Sequence, residues 1–368
     1  MDPLLTSSER LKTAIWRLNV TSTGTTAVDV GNAGFSDDDV IKLCKVLGRN
    51  PILRDLNLSN NSFSEEGSRA LARALRVNET LTKLDVRGNL IDDDGAEAIV
   101  ESLRLNRSLR TLDLPGNAIG DAGLRCFAMA LGDGDRGCCG LWTLRVGENK
   151  FGAGAAAGLL RSLRSNFTLT HLDLSRSSLE ASHGATVGEL LTSNRSLTTL
   201  LLDGNKLGDF GARALADAIS GRTAAAAARG RGGGGGGGTL AAAAAAERRR
   251  EAREEALAAK SGLSARPKGP GLRRLGLSSN EIGNDGAAAL VAACGTFKSL
   301  TSLLLPLNQV PWCWWEGGVR SWGEVLWQVS GSCLSSLTLN ALSILPFVVF
   351  LTHVSRVPLA RSPFFAPT

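Results

Sequence analysis

The chain has 368 residues, 43% of them hydrophobic and 21% charged, so it can bury a core. Its formal net charge of +6 raises nucleic acid or an anionic membrane as a partner. The seven cysteines (44, 126, 138, 139, 294, 313 and 333) are odd in number and irregularly spaced, which excludes a disulfide framework and paired zinc-ligand spacing and favours a reducing compartment.

The first stretch, MDPLLTSSERLKTAIW, has no basic start followed by an apolar run, so it carries no signal-peptide pattern. Together with the free cysteines this places the expected location in the cytoplasm. Residues 1–27 are read as an N-terminal helical cap.

From residue 28 the chain repeats itself. The pattern L-x-L-x-x-N-x-Φ (Φ, an apolar residue) recurs with Asn61, Asn89, Asn117, Asn149, Asn205, Asn280 and Asn308 in the Asn place. Ser177 stands there in LDLSRSSL, and Ala33, more loosely, in VDVGNAGF. The steps from 33 are 28, 28, 28, 32, 28, 28, 75 and 28 residues. The step of 32 carries a four-residue insertion around GDGDRGCCG, and the step of 75 is one period plus 47 residues.

Each period has two halves. The first alternates apolar with polar residues, as at Leu112 and Leu114, which predicts a strand. The second is rich in Ala and Leu, as in GSRALARALRVN and GARALADAI, which predicts a helix. Strand and helix alternating at a fixed period give parallel strands, because each helix is a crossover. One such unit cannot bury its apolar face alone, but stacked neighbours can.

These motifs resemble leucine-rich repeats of the ribonuclease-inhibitor subtype and are similar to the arrays of nucleotide-binding leucine-rich-repeat receptors. The resemblance covers residues 28–220 and 271–310. It implies an α/β horseshoe solenoid with a parallel concave sheet, convex helices and a 28-residue period. No GxxxxGK[ST] phosphate loop is present, so the chain is not read as a whole receptor of that kind. Ran GTPase-activating proteins use the same repeat subtype but typically end in a strongly acidic stretch, which is missing here.

The recurrent asparagines follow a strand, where an amide that both donates and accepts can satisfy turn backbone. Ser177 is shorter and predicts a weaker turn. The glycines at 67, 95, 123, 211 and 286 fall at the start of each helix, where close packing or an unusual dihedral would select them. Asn78, Asn106, Asn166 and Asn194 begin N-x-[ST] sequons, but all share one phase just after a helix, which favours turn chemistry over glycosylation.

If the strand leucines point into the core, the residues between them point to the concave side. That column reads Asn57, Asp85, Asp113, Arg145, Asp173, Leu201, Gly276 and Leu304. The column two residues earlier holds Lys83 and His171; the column two later holds Arg87 and Asp203. Candidate partner-binding residues are Lys83, Asp85, Arg87, Asp113, Arg145, His171, Asp173, Leu201 and Asp203. Asp85 and Asp113 are adjacent like charges, with Lys83 and Arg87 placed to offset them. The simplest reading of any single Asp is a solvated consensus residue.

Residues 221–270 break the period with a seven-glycine run and an Ala/Glu/Arg stretch. They hold ten Lys/Arg and four Glu, a net of +6, so the rest of the chain balances at 31 against 31. Nucleic acid would be held weakly through this insertion if anywhere. After residue 310 the repeat stops, and 311–368 is a Trp-rich, apolar tail. Its segment 333–351 approaches the length of a membrane span but contains Asn340 and Pro346.

No catalytic constellation, metal site or cofactor motif emerges, and the three histidines (171, 183 and 353) fall in unrelated contexts. The leading expectation is a non-enzymatic scaffold that binds a protein through its concave face. A Ran-type GTPase-activating regulator and a membrane-tethered sensor are the alternatives.

Overall fold

The structure is a computed structural model, and it describes residues 6–19, 24–132, 140–220, 271–294 and 299–309. The low-complexity insertion 221–270 and the tail 311–368 lie outside the described residues. Among those described, nine strands and nine α-helices alternate. Helix α1 (Ser7–Asn19) comes first, then β1 (Ala27–Asp29), α2 (Asp37–Leu47), β2 (Asp55–Asn57), α3 (Glu65–Val77) and β3 (Lys83–Asp85). The array continues with α4 (Asp93–Leu103), β4 (Thr111–Asp113), α5 (Asp121–Gly132), β5 (Thr143–Arg145), α6 (Ala153–Ser162) and β6 (His171–Asp173). It closes with α7 (Gly184–Ser193), β7 (Thr199–Leu201), α8 (Gly208–Ile219), β8 (Arg274–Gly276), α9 (Asn284–Cys294) and β9 (Ser302–Leu304).

The strands form one open parallel sheet in strict chain order, an α/β leucine-rich-repeat horseshoe. The middle residue of each strand from β2 to β8 is a leucine, buried between the sheet and the helices. Helix α3 shows why the second half of each period folds as it does. Ala70, Leu71, Ala74 and Leu75 recur at helical spacing and are all buried, while Arg69, Arg73 and Arg76 face water. β7 and β8 pair directly, Leu200 against Leu275, so the 75-residue step is closed as tightly as a 28-residue one. The insertion leaves the register of the sheet untouched.

Three ladders of side chains bond each coil to the next. In the first, the turn asparagine donates to a carbonyl of the preceding coil. Asn61 Nδ2 reaches Val30 O at 3.1 Å, Asn117 reaches Val86 O at 3.1 Å, and Asn205 reaches Leu174 O at 3.1 Å. Oδ1 of Asn61 and Asn205 accepts two backbone N–H groups from that coil, those of Ala33 and Phe35 for Asn61. The ladder crosses the insertion, because Asn280 donates to Leu202 O at 2.8 Å.

Ser177 breaks this ladder. Among the described residues its hydroxyl reaches only Ser175 O, within its own coil, at 3.5 Å. Register assigns Val146 O and Phe151 N–H as the partners an asparagine would take there, and Ser177 reaches neither. The shorter side chain therefore leaves a weaker seam, as its length implies.

The sequon asparagines make the second ladder. Asn106 Nδ2 donates to Leu75 O and Asn78 O, both at 2.8 Å, and its Oδ1 accepts from Ser108 and Leu109 N–H. Asn78, Asn106, Asn166 and Asn194 are all buried, with their amide nitrogens engaged. In the folded chain these amides offer no attachment point for a glycan.

The third ladder is built from carboxylates at helix starts. Asp93 Oδ1 accepts the N–H groups of Gly120 and Gly123 at 2.7 Å, capping α5 from the coil before it. Asp37 does the same for Ser64 and Gly67, and Asp209 for Gly283 and Gly286. This ladder explains the glycines: Gly123 has an ordinary φ, but a Cβ there would sit 2.8 Å from Asp93 Oδ1. Where Glu65 replaces the aspartate, α4 is capped by its own Asp92 instead.

Asn106→Ala removes the side-chain partner of Leu75 O and Leu109 N–H, both buried, and of the part-buried Ser108 N–H, leaving Asn78 O to the Ser108 hydroxyl, and should cost about 2–4 kcal/mol, read as a lower urea midpoint at constant m-value. Ser177→Asn should complete the ladder and add about 1 kcal/mol in the same measurement. A Ser177→Asn variant no more stable than the parent would show that the seam is not weak.

Candidate functional site

Alternation along each short strand sends the residues flanking the buried leucine to the concave side. The register places Lys83, Thr111, Thr143 and His171 in one row and Asp85, Asp113, Arg145 and Asp173 in the next. Two acids therefore lie side by side in β3 and β4, as the sequence implies.

Their repulsion is offset by arginines on either flank. Arg87 Nε donates to both oxygens of Asp85 at 2.9 Å, and its Nη2 lies 2.5 Å from Asp85 Oδ2 and 3.9 Å from Asp113 Oδ2. Arg145 Nη1 donates to Asp113 Oδ1 at 2.7 Å. Lys83 is exposed and forms no ion pair among the described residues, so the compensation comes from Arg87 and from Arg145 across the strand.

Asp113 is not a solvated consensus residue. Its side chain is 1% exposed, against 51% for Arg87 and 42% for Arg145. Of its two oxygens, Oδ2 is buried and accepts no hydrogen bond among the described residues. Burial holds its pKa above the ordinary carboxylate value, opposed by Arg145 and Arg87 and reinforced by the neighbouring charge of Asp85. The hydrogen bond to Asp85 raises the pKa of Arg87. His171 is shifted down, first by burial and then by Arg145, so the imidazole is neutral at physiological pH.

Around Asp113 the concave surface dips into a depression of about 350 Å³. Arg87, Arg145, Asp173 and Ser175 line it, with Pro115, Gly147 and Glu148 completing the wall. Asp173 Oδ1 is held by Ser175 through its backbone N–H at 2.9 Å and its hydroxyl at 2.6 Å. Glu148 pairs with Arg176 at 3.0 Å. Of the nine candidate residues, Arg87, Asp113, Arg145 and Asp173 meet in the depression. Asp85 lies beneath Arg87, and Lys83 and His171 are exposed one row away. Leu201 is half-buried next to Asp173 in the register. Asp203 is separate and accepts Ser278 N–H at 2.7 Å, a structural bond. Glu148 escapes a reading by alternation because it lies past the strand, at φ 57°.

Among the described residues no cluster of His, Cys, Asp and Glu could hold a metal ion, and no helix is long and apolar enough to cross a membrane.

Models of the leucine-rich repeat match residues 53–74, 77–100, 105–128, 193–216 and 272–291. No curated protein matches the chain. Among solved structures, a tropomodulin C-terminal domain of Caenorhabditis elegans is similar at 16% identity and a TM-score of 0.33, covering 50% of this chain and 92% of that one. The structure titled Leiomodin-1 Actin-Binding Site 2 is similar at 19% identity and a TM-score of 0.31, covering 50% of this chain and 87% of that one. It is the matched repeat models that show the chain to carry leucine-rich repeats, in keeping with its sheet and helices.

Since the folded-state pKa of Asp113 is raised, the folded protein binds more protons than the unfolded one above the ordinary value of 3.8. Its contribution to stability is present below that value and is lost as pH rises through the raised pKa. Asp113→Asn should therefore gain on the parent as pH rises through this window. A difference in urea midpoint that stays flat with pH would remove the argument.

Proposed function

We propose that this chain is a non-enzymatic scaffold that holds a protein partner against the concave face of its repeats, which are of the ribonuclease-inhibitor subtype. The 28-residue period and the α-helix in each complete coil support the subtype. Support for the concave face comes from one observation above others. Arg87 and Arg145 are half-exposed, yet each is pinned by a buried carboxylate. Ordering a free arginine on binding costs about 0.5–1.5 kcal/mol. Here that ordering is already done, so the outward edges of both guanidinium groups are presented to a partner in a set geometry. The flanking His171, Asp173 and Leu201 give the face mixed polarity, which suits specificity for one protein surface.

The test uses exposed residues, because reversing buried Asp113 would damage the fold. The full chain and a Lys83→Glu, His171→Glu variant are used as bait, and the affinity of each retained partner is measured. The variant should weaken the concave-face partner about tenfold. Unchanged affinities for all retained proteins would mean that this face is not the site.

A further inference from the structure

The helices all point the same way, so their dipoles set one sign of charge along each rim of the horseshoe. The rim where strands give way to helices carries Asp38, Asp39, Glu66 and Asp94. The opposite rim, where helices end and strands begin, carries Arg76, Arg104, Arg107, Arg161, Arg195 and Arg273, all exposed. None of these six forms an ion pair with a carboxylate among the described residues. Asp55 and Glu79 interrupt the row, as do Glu101 and Glu189, which stand one turn before the helix ends at the position Arg161 takes in its own coil.

Helix dipoles account for the sign of this rim but not for its apolar side chains. Val77 is 65% exposed, Leu105 59%, Trp142 56% and Phe167 43%, and all four lie on the basic rim. Arg110 is held over the Trp142 ring at 5.2 Å, with its Nη1 donating to Gly140 O at 2.8 Å, so a cation and an aromatic face are presented together.

We propose that this basic rim is a second docking surface, separate from the concave face, and that it takes an acidic protein segment studded with apolar side chains. Carboxylates of the segment meet the arginine row, and its aliphatic or aromatic residues cover Val77, Leu105 and Trp142. Charge complementarity selects an anionic occupant. The interleaved Val77 and Leu105 favour protein over nucleic acid, since neither offers anything to a phosphate, and a stacking platform needs aromatic faces in succession.

The full chain is titrated into a fluorescein-labelled peptide of Glu-Glu-Leu repeats, and separately into a labelled single-stranded RNA of equal charge, with anisotropy as the readout. The peptide should bind more tightly than the RNA. Arg104→Glu with Arg107→Glu should weaken the peptide about tenfold. Lys150→Glu, a like change on the opposite rim, should leave it unaltered. Val77→Ser with Leu105→Ser should weaken the peptide and not the RNA. Tighter binding of RNA, binding of neither probe, or peptide affinity indifferent to the rim substitutions would each overturn the proposal. Circular dichroism of every variant keeps a loss of fold from passing as a loss of binding.

Discussion

Everything else in this fold depends on side chains that satisfy the backbone of a neighbouring coil. A strand of three residues and a tight turn leave many carbonyl and N–H groups without partners, and burying them unpaired would cost about 1–3 kcal/mol each. Asn61, Asn117 and Asn205 solve this at the end of the strand, Asn78, Asn106 and Asn194 at the end of the helix, and Asp37, Asp93 and Asp209 at its start. Apolar burial holds the layers together, but it has no direction. The polar ladders fix the spacing and register from coil to coil, and so place Arg87, Asp113 and Arg145 in adjacent strands.

The concave row obeys the same logic at closer quarters. A buried carboxylate in a low-dielectric site needs cations, and Asp113 recruits one from its own sheet row and one from the row beside it. The two buried carboxylates, Asp85 and Asp113, thus orient the half-exposed Arg87 and Arg145. Charge is organised on the larger scale too. Outside the insertion the chain balances at 31 cations against 31 anions, yet the two rims of the solenoid differ in sign.

Much of this is legible in the sequence, because a solenoid writes its period into the chain. The strand leucines, the turn asparagines and the weak place at Ser177 follow from spacing and side-chain length alone. So do the rows of the concave face, since alternation fixes which residues share a side. Three things are not legible. Burial of Asp113 depends on where two long arginine side chains fold, which no spacing encodes. Whether Gly123 serves a dihedral or a contact is settled only by Asp93 arriving from the previous coil. The rim polarity is hidden by a net charge of zero, because composition has no geometry.

The caps supplied by Asp37, Asp93 and Asp209 have a direction. Each carboxylate precedes in the chain the helix whose N–H groups it accepts. A chain made from its N-terminus therefore has the acceptor in place before the helix that needs it is complete. Shortening the array from its C-terminal side leaves the caps of the remaining helices intact, whereas shortening it from the N-terminal side strips the cap from the first helix that is left. The asparagine ladders run the other way, since Asn61 and Asn106 satisfy backbone of the coil before them, so trimming from the C-terminal side keeps the helix caps but opens the turns of the last coil left.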